Sequence, residues 1–124
     1  MKKILSIIFS LLIAPLMAQN SQLSKDAFDQ AKKGEAILID VREQGEVADG
    51  MIENAKWFAL SKINHDKNWL SEFKNVVGNK KIYLYCRSGG RSGRVQSILK
   101  KNGIEAVNLG GYMTLQNQLP TQKK

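Results

Sequence analysis

Four short apolar runs, separated by stretches with helical spacing, constrain the fold of this chain most strongly. The strand candidates are the runs 36–39, 57–60, 82–85 and 106–109. The helical candidates are the stretches 24–33, 43–49, 66–77, 91–101 and 112–118. An apolar run without polar interruption indicates a strand buried on both faces, which is typical of parallel sheets. The alternation therefore predicts an α/β fold in three layers, with a mainly parallel central sheet of four to five strands flanked by helices.

Residues with polar, reactive or turn-forming character follow three of the predicted strands. Asp40, Cys86 and Gly110 each come directly after an apolar run. In open α/β sheets, ligands bind beyond the carboxyl ends of the strands. We therefore expect these three positions to line one edge of a single site.

The segment after the third predicted strand contains Cys86, the only cysteine of the chain. A glycine-rich turn and a predicted helix follow it. The amides of such a turn and the positive end of a helix dipole attract an anion, and these surroundings lower the pKa of a thiol. An inert buried cysteine is the alternative. The arginines and glycines of the turn favour a reactive thiolate, so we predict that Cys86 is catalytic. The predicted substrate-binding residues are Arg87, Ser88, Gly89, Gly90, Arg91 and Ser92.

Residues 1–18 have the pattern of a signal peptide. Two lysines precede the apolar segment 4–13, which is too short to span a bilayer comfortably, and Pro15 follows it between the small residues Ala14 and Ala18. We expect cleavage after Ala18, export to the periplasm or the medium, and one domain over 19–124 with no stable membrane association. A retained N-terminal anchor is the alternative. Cysteines of exported proteins usually form disulfides, so a lone cysteine there needs another role.

The formal net charge of +8 indicates a basic surface that suits anionic partners. The basic residues are spread along the chain without a nucleic-acid-binding motif, so nucleic acid is not an expected partner. His65 is the only histidine, and the chain therefore lacks the histidine and cysteine ligands of a transition-metal site. We predict neither a metal nor another cofactor. The small size and the absence of an interface stripe favour a monomer.

Four segments occur in an order typical of one known family. They are Asp40-Val41-Arg42-Glu43, Glu46 to Ile52, the Cys86 loop, and Gly110-Gly111-Tyr112. With these segments the chain resembles a single-domain rhodanese, a sulfurtransferase domain, of the small exported type. The resemblance implies a rhodanese-like fold and sulfur transfer in two half-reactions. Cys86 would take sulfur from thiosulfate as a persulfide and pass it to cyanide or to a thiol, including a protein thiol.

The resemblance also implies roles for the loop. Backbone amides between Arg87 and Ser92 would hold the persulfide. The side chains of Arg87 and Arg91 would contact the oxygens of a small anionic sulfur donor. In this family a basic residue after the cysteine goes with thiosulfate-like donors, so Arg87 points to thiosulfate.

Two further features concern the frame of the site. Asp40 and Arg42 are expected to support it structurally, with Arg42 paired to one of the glutamates that follow it or to another acid. The family usually has Gly-His-Ile-Pro-Gly-Ala where this sequence has Gly-Met-Ile-Glu-Asn-Ala over residues 50–55. Met51 therefore replaces the usual histidine. This departure leaves the local turn and the start of the second strand open.

Two other functions are alternatives. Phosphatases and arsenate reductases of the same fold place five residues between the cysteine and the arginine of the loop. Here four residues separate Cys86 from Arg91, which favours a sulfur atom over a phosphate group. A binding or sulfur-relay module that acts with a protein partner is the other alternative. The presence of Cys86 argues against a purely inactive module.

Overall fold

The structure is a computed structural model that describes residues 21–123. The signal peptide predicted over residues 1–18 lies outside the described residues. The strands are β1 (Ala36–Asp40), β2 (Met51–Ile52), β3 (Lys56–Trp57), β4 (Lys81–Cys86), β5 (Val107–Gly111) and β6 (Thr121–Gln122). The helices are α1 (21–32), α2 (Gln44–Val47), α3 (Leu60–His65), α4 (Trp69–Val77), α5 (Gly90–Lys101) and α6 (Tyr112–Leu115). Within the described range, no helix combines the length and the apolar character needed to cross a membrane.

Four of the strands form one parallel sheet in the order β3-β1-β4-β5. β1 pairs with β4 along its whole length, from Ala36 opposite Lys81 to Asp40 opposite Tyr85. Every residue of β1 is buried, and so is every residue of β4 after Lys81. Such strands need helices on both faces of the sheet. The predicted α/β fold, with a parallel central sheet flanked by helices, is confirmed.

Side chains from alternate positions of the central strands enter two separate apolar cores. One core packs against α3, α4 and α5, and it contains Phe58 and Phe73, whose ring centroids are 5.1 Å apart in an edge-to-face arrangement. The other packs against α1, α2 and α6, and it contains Tyr83 and Tyr85. Cys86 belongs to the first core, so its side chain lies on the α5 side of the sheet.

The segment after β3 differs from the prediction. The strand predicted over 57–60 ends at Trp57, and Leu60 begins α3, which was not predicted. Leu60 and Ile63 are three residues apart and both are buried against the core. This spacing suits a helix better than a strand, because residues three apart share one face of a helix. Burial against the core therefore decides the structure of this segment.

Three other segments also differ from the prediction. The helix predicted over 24–33 is already helical at residue 21, so Ser24 is buried within α1 rather than placed at its N-cap. The helix predicted over 66–77 begins only at Trp69. Near the C-terminus, the strand β6 was not predicted, and it pairs antiparallel with β2.

The segment that departs from the family pattern keeps a compact turn. Met51 is buried in β2 and pairs with Gln122. Asn54 has a left-handed φ of 70°, which asparagine adopts more readily than most residues. The Ala55 amide donates a hydrogen bond of 3.0 Å to the Ile52 carbonyl. The turn therefore closes without the usual Pro-Gly pair.

Candidate active site

The carboxyl ends of the parallel strands bring the predicted site residues to one edge of the sheet. Asp40 ends β1, and Cys86 ends β4 opposite Gly111 of β5. The pairing between β4 and β5 shifts register over this stretch, because Leu84 lies opposite Asn108 while Cys86 lies opposite Gly111. This irregularity carries the glycine-rich end of β5 against the loop that follows Cys86.

The thiol of Cys86 is buried beneath the loop and accepts hydrogen bonds there. The residue is 1% exposed, and its Sγ lies 3.0 Å from the Gly89 amide nitrogen and 3.4 Å from the Ser92 hydroxyl oxygen. Burial alone raises the pKa of Cys86. Hydrogen bonds from the Ser92 side chain and from the loop amides outweigh burial, so the pKa lies below its ordinary value. The loop therefore stabilises a thiolate by directed hydrogen bonds, out of contact with bulk water.

Two glycines allow the loop to close over the sulfur. Gly89 has a φ of 105°, a left-handed conformation that glycine adopts without strain, and its amide donates to Cys86 Sγ. Gly111 has a φ of −128°, which any residue adopts. A Cβ atom at Gly111 would nevertheless lie 2.1 Å from the Arg87 carbonyl oxygen. The backbones of β5 and the loop are therefore in direct contact.

Arg91 pairs with Glu46 of α2. Its guanidinium donates two hydrogen bonds, of 2.6 and 2.8 Å, to the two carboxylate oxygens of Glu46. This contact lowers the pKa of Glu46 to about 2. Glu46 was one of the acids considered for Arg42, and the structure pairs it with Arg91 instead. The ion pair fixes the helical end of the loop to α2 and occupies the guanidinium that was expected to contact a donor.

Arg42 and Asp40 form a buried ion pair. The Arg42 guanidinium donates to both Asp40 carboxylate oxygens over 2.8 to 3.0 Å, and the two side chains are 7% and 0% exposed. It also donates to the Gly50 carbonyl at 2.6 Å and lies 4.1 Å from the centre of the Tyr112 ring. The pair therefore joins the end of β1 to the segment before β2 and to α6. Its geometry is that of a supporting element.

Arg87 lies at the outer side of the loop, beside a pocket of about 280 Å³. Tyr112 and Met113 line the same pocket. The Arg87 side chain is exposed, and among residues 21–123 it has no ion-pair partner. The guanidinium groups of Arg42 and Arg91 are both paired. Arg87 is thus the arginine beside the loop whose charge is available to a ligand.

The remaining predicted loop residues are Ser88 and Gly90. The Ser88 amide is among the groups that stabilise the Cys86 thiolate, and the Ser88 side chain is exposed. Gly90 begins α5, and the space around its Cα is open. The structure therefore brings the Ser88 and Gly89 amides and Ser92 to the sulfur, and it does not bring Gly90 there.

This fold and this cysteine loop match a family model described as a rhodanese-like domain, over residues 24–118. The chain belongs to the rhodanese-like domain family.

Sequence relatives and a solved structure agree with that assignment. The rhodanese-like domain is 38% identical over 90 residues to the uncharacterized protein YqhL of Bacillus subtilis, a match that covers 71% of this chain and 67% of YqhL. It is 39% identical over 79 residues to the putative sulfurtransferase YtwF of the same organism, covering 64% of this chain and 71% of YtwF. A rhodanese-like domain protein from Staphylococcus aureus matches with a TM-score of 0.57 and 34% identity, covering 72% of this chain and 81% of that one.

Two residues of the rhodanese-like site were not predicted as part of it. Glu46 carried a detectable signal, because it follows Glu43 by three residues and forms a capping box with it at the start of α2. Asn108 carried a weaker one, as a polar residue in an otherwise apolar run. Its Oδ1 atom lies 2.8 Å from the Ser92 hydroxyl, and its Nδ2 donates to the Gly89 carbonyl at 3.1 Å.

Proposed function

We propose that this rhodanese-like domain is a sulfurtransferase that carries sulfur from thiosulfate as a persulfide on Cys86. The Cys86 thiolate attacks the outer sulfur of thiosulfate and forms a bond between Sγ and that sulfur. The sulfur–sulfur bond of the donor breaks, and sulfite leaves with the bonding electron pair. Cyanide or a thiolate then attacks the outer sulfur of the persulfide, takes that sulfur, and returns the Cys86 thiolate.

The observation that carries this proposal is the set of hydrogen-bond donors around Cys86 Sγ. A thiolate rather than a thiol is the nucleophile in such chemistry. The Gly89 amide and the Ser92 hydroxyl lie within hydrogen-bond reach of the sulfur and lower the pKa of Cys86. Because these hydrogen-bond donors belong to a loop held by β5 and α2, they are in place before thiosulfate binds.

Arg87 supports thiosulfate as the donor. Its exposed side chain borders the pocket beside the loop and has no ion-pair partner among residues 21–123, although Glu46, which is paired with Arg91, and Asp49 line the same pocket. A guanidinium binds two oxygens of an anionic group at once. A doubly charged donor would pair its anionic oxygens with Arg87 and present its terminal sulfur to Cys86.

The geometry does not favour phosphate hydrolysis. A phosphatase loop uses its arginine to bind phosphate oxygens, and here both arms of the Arg91 guanidinium are bound by Glu46. A binding or relay module remains the alternative, because a partner protein could serve as donor or acceptor for the same cysteine.

Intact-mass analysis after incubation with thiosulfate tests the proposal. We expect the protein to gain one sulfur atom, to lose it on addition of cyanide with formation of thiocyanate, and to gain none as Cys86→Ser. No sulfur gain combined with hydrolysis of an aryl phosphate would establish the phosphatase instead. If the folded protein shows neither sulfur gain nor phosphate hydrolysis, the binding module is the remaining function.

The role of Arg87 has its own test. We expect Arg87→Ala to raise the thiosulfate KM about tenfold, the loss expected for one charge-assisted contact, with little change in kcat. Arg94→Ala is the matched control, because Arg94 is an exposed arginine further along α5. An equal KM in the two variants would show that Arg87 does not bind the donor.

A further inference from the structure

Asn108 is held between β5 and the cysteine loop by groups that fix the orientation of its carboxamide. Its Oδ1 accepts a hydrogen bond of 2.9 Å from the Gly110 amide, and its Nδ2 donates one of 3.1 Å to the Gly89 carbonyl. The reverse orientation would place an amide donor against another donor and a carbonyl against another carbonyl. The oxygen of the carboxamide therefore faces Gly110 and the Ser92 hydroxyl.

The Ser92 hydroxyl has more acceptors than protons. A serine hydroxyl donates a single hydrogen bond. Its oxygen lies 2.8 Å from Asn108 Oδ1, 3.1 Å from the Gly89 carbonyl, and 3.4 Å from both Cys86 Sγ and the Gly110 carbonyl. Ser92 is fully buried, so water does not supply further partners at its surface.

The two nearest acceptors are unequal. The Gly89 carbonyl already accepts from the Gly93 amide at 3.0 Å and from Asn108 Nδ2. Asn108 Oδ1 has one lone pair left after the Gly110 amide, and it is the closest acceptor to Ser92. When Cys86 is a neutral thiol, the Ser92 proton therefore goes to Asn108. A thiolate is a charged acceptor, and it draws the same proton to sulfur by rotation of the hydroxyl.

We propose that Asn108 is a positioning residue that acts through Ser92, by competing with Cys86 Sγ for the single hydroxyl proton. Asn108 holds the proton while the sulfur is neutral and releases it when the sulfur becomes an anion. The switch is a rotation about the serine Cβ–Oγ bond, so no proton leaves Ser92.

This proposal deepens the sulfur-transfer function and rests on it for its catalytic meaning. In the free enzyme, negative charge on Sγ draws the Ser92 hydroxyl to the sulfur. In the persulfide the charge lies on the outer sulfur, and the hydroxyl returns to Asn108. Ser92 would thus stabilise Sγ both before it attacks the donor and as it leaves the outer sulfur during transfer to the acceptor.

Two other ionisable groups near Cys86 do not change their charge when the thiol titrates. Arg91 on α5 interacts electrostatically with Cys86, and its guanidinium is paired with Glu46 of α2. Both groups keep their charge over the range in which a thiol titrates, because the pKa of Arg91 is raised and the pKa of Glu46 is about 2. Their electrostatic effect on Cys86 therefore stays constant over that pH range.

The test measures the titration of Cys86 from the rate of its alkylation by iodoacetamide between pH 5 and 10, which needs no sulfur-transfer activity. Asn108→Asp keeps the shape and strengthens the acceptor that faces Ser92, with loss of the Nδ2 donor to the Gly89 carbonyl, so we expect the Cys86 pKa to rise by about one unit. Asn108→Leu keeps the size and removes the acceptor, so we expect the pKa to fall. Asn102→Asp, at the far end of α5, introduces the same charge as a control and should leave the titration unchanged.

Repeating the Asn108 substitutions in the Ser92→Ala background separates the hydrogen bond from plain charge. We expect each shift to fall to less than half there, since the shared proton is gone. An unchanged or raised Cys86 pKa in Asn108→Leu would overturn the proposal and show that Asn108 only supports the loop structurally. Equal shifts with and without Ser92 would also overturn it. If the titrations behave as expected but thiosulfate transfers no sulfur, the proposed function fails and the role of Asn108 stands.

Discussion

The close approach of β5 to the cysteine loop makes Gly111→Ala the most informative substitution in this protein. The φ of Gly111, −128°, suits alanine, so any effect comes from the space that the added methyl group needs. That methyl carbon would lie 2.1 Å from the Arg87 carbonyl oxygen and 2.5 Å from Ser88 Cα. All of the nearest atoms are backbone, so no side chain can rotate away to make room.

The size of the effect follows from these distances. Non-bonded carbon atoms pack at about 3.5 Å or more, so the loop and the end of β5 must separate by about 1 Å. A displacement of about 1 Å costs catalysis about 100-fold, because the donors around Cys86 lose their alignment. Overpacking of this kind also costs about 1–3 kcal/mol of stability.

The assay compares Gly111→Ala with the wild type in two measurements: the rate of sulfur gain from thiosulfate by mass, and urea unfolding. Gly34→Ala is the matched control, because Gly34 has a left-handed φ of 78°, has no atom within 4 Å of an added Cβ, and lies remote in sequence from the loop. It should lose about 1 kcal/mol and keep its activity. If Gly111→Ala retains activity within twofold of Gly34→Ala, the contact between β5 and the loop does not position the site.

Two further predictions concern the ion pairs. The Arg91 contact lowers the pKa of Glu46 from its ordinary 4.5 to about 2, so the pair stabilises the fold above about pH 4.5 and this contribution is lost as the pH falls towards 2. Glu46→Gln should therefore lower the free energy of unfolding by about 1–2 kcal/mol at pH 7, after allowance for solvent screening. In urea unfolding, the difference in stability from the wild type should shrink between pH 5 and pH 3. A difference that stays constant with pH would contradict the electrostatic cause. Asp40→Asn leaves the Arg42 charge buried without its partner, so we expect a loss of about 3 kcal/mol in urea unfolding at pH 7, and a loss below 1 kcal/mol would mean that Arg42 finds another acceptor.

Much of the fold could be predicted because the buried central strands consist of continuous apolar residues. The continuous apolar runs before Asp40 and Cys86 indicated strands covered on both faces, and the structure has them at the centre of a parallel sheet. The segment around Leu60 was not predictable in the same way. The run 57–60 has the pattern of a short buried strand when it is read alone, and the helix becomes apparent only when Leu60 and Ile63 are known to be buried on one face.

The loop around Cys86 could also be located from sequence, because a strand, a cysteine, a glycine-rich turn and a helix are consecutive. Partners from distant segments could not. Glu46 meets Arg91 and Asn108 meets Ser92 only when α2 and β5 pack beside the loop. The expectation that Arg91 would contact the donor did not foresee Glu46, since sequence distance hides which acid lies within reach of a long side chain.

The sequence by itself determined the fold class and the place of Cys86 between a buried strand and a glycine-rich turn, because these depend on local pattern and on short-range backbone chemistry. Only the tertiary structure decided that Arg91 pairs with Glu46 while Arg87 has no ion-pair partner among residues 21–123, how closely Gly111 approaches the loop, and which acceptors compete for the Ser92 proton. Those properties depend on distances of a few tenths of an ångström between atoms far apart in the chain. Such distances are set by the packing of the two cores and by the register between β4 and β5.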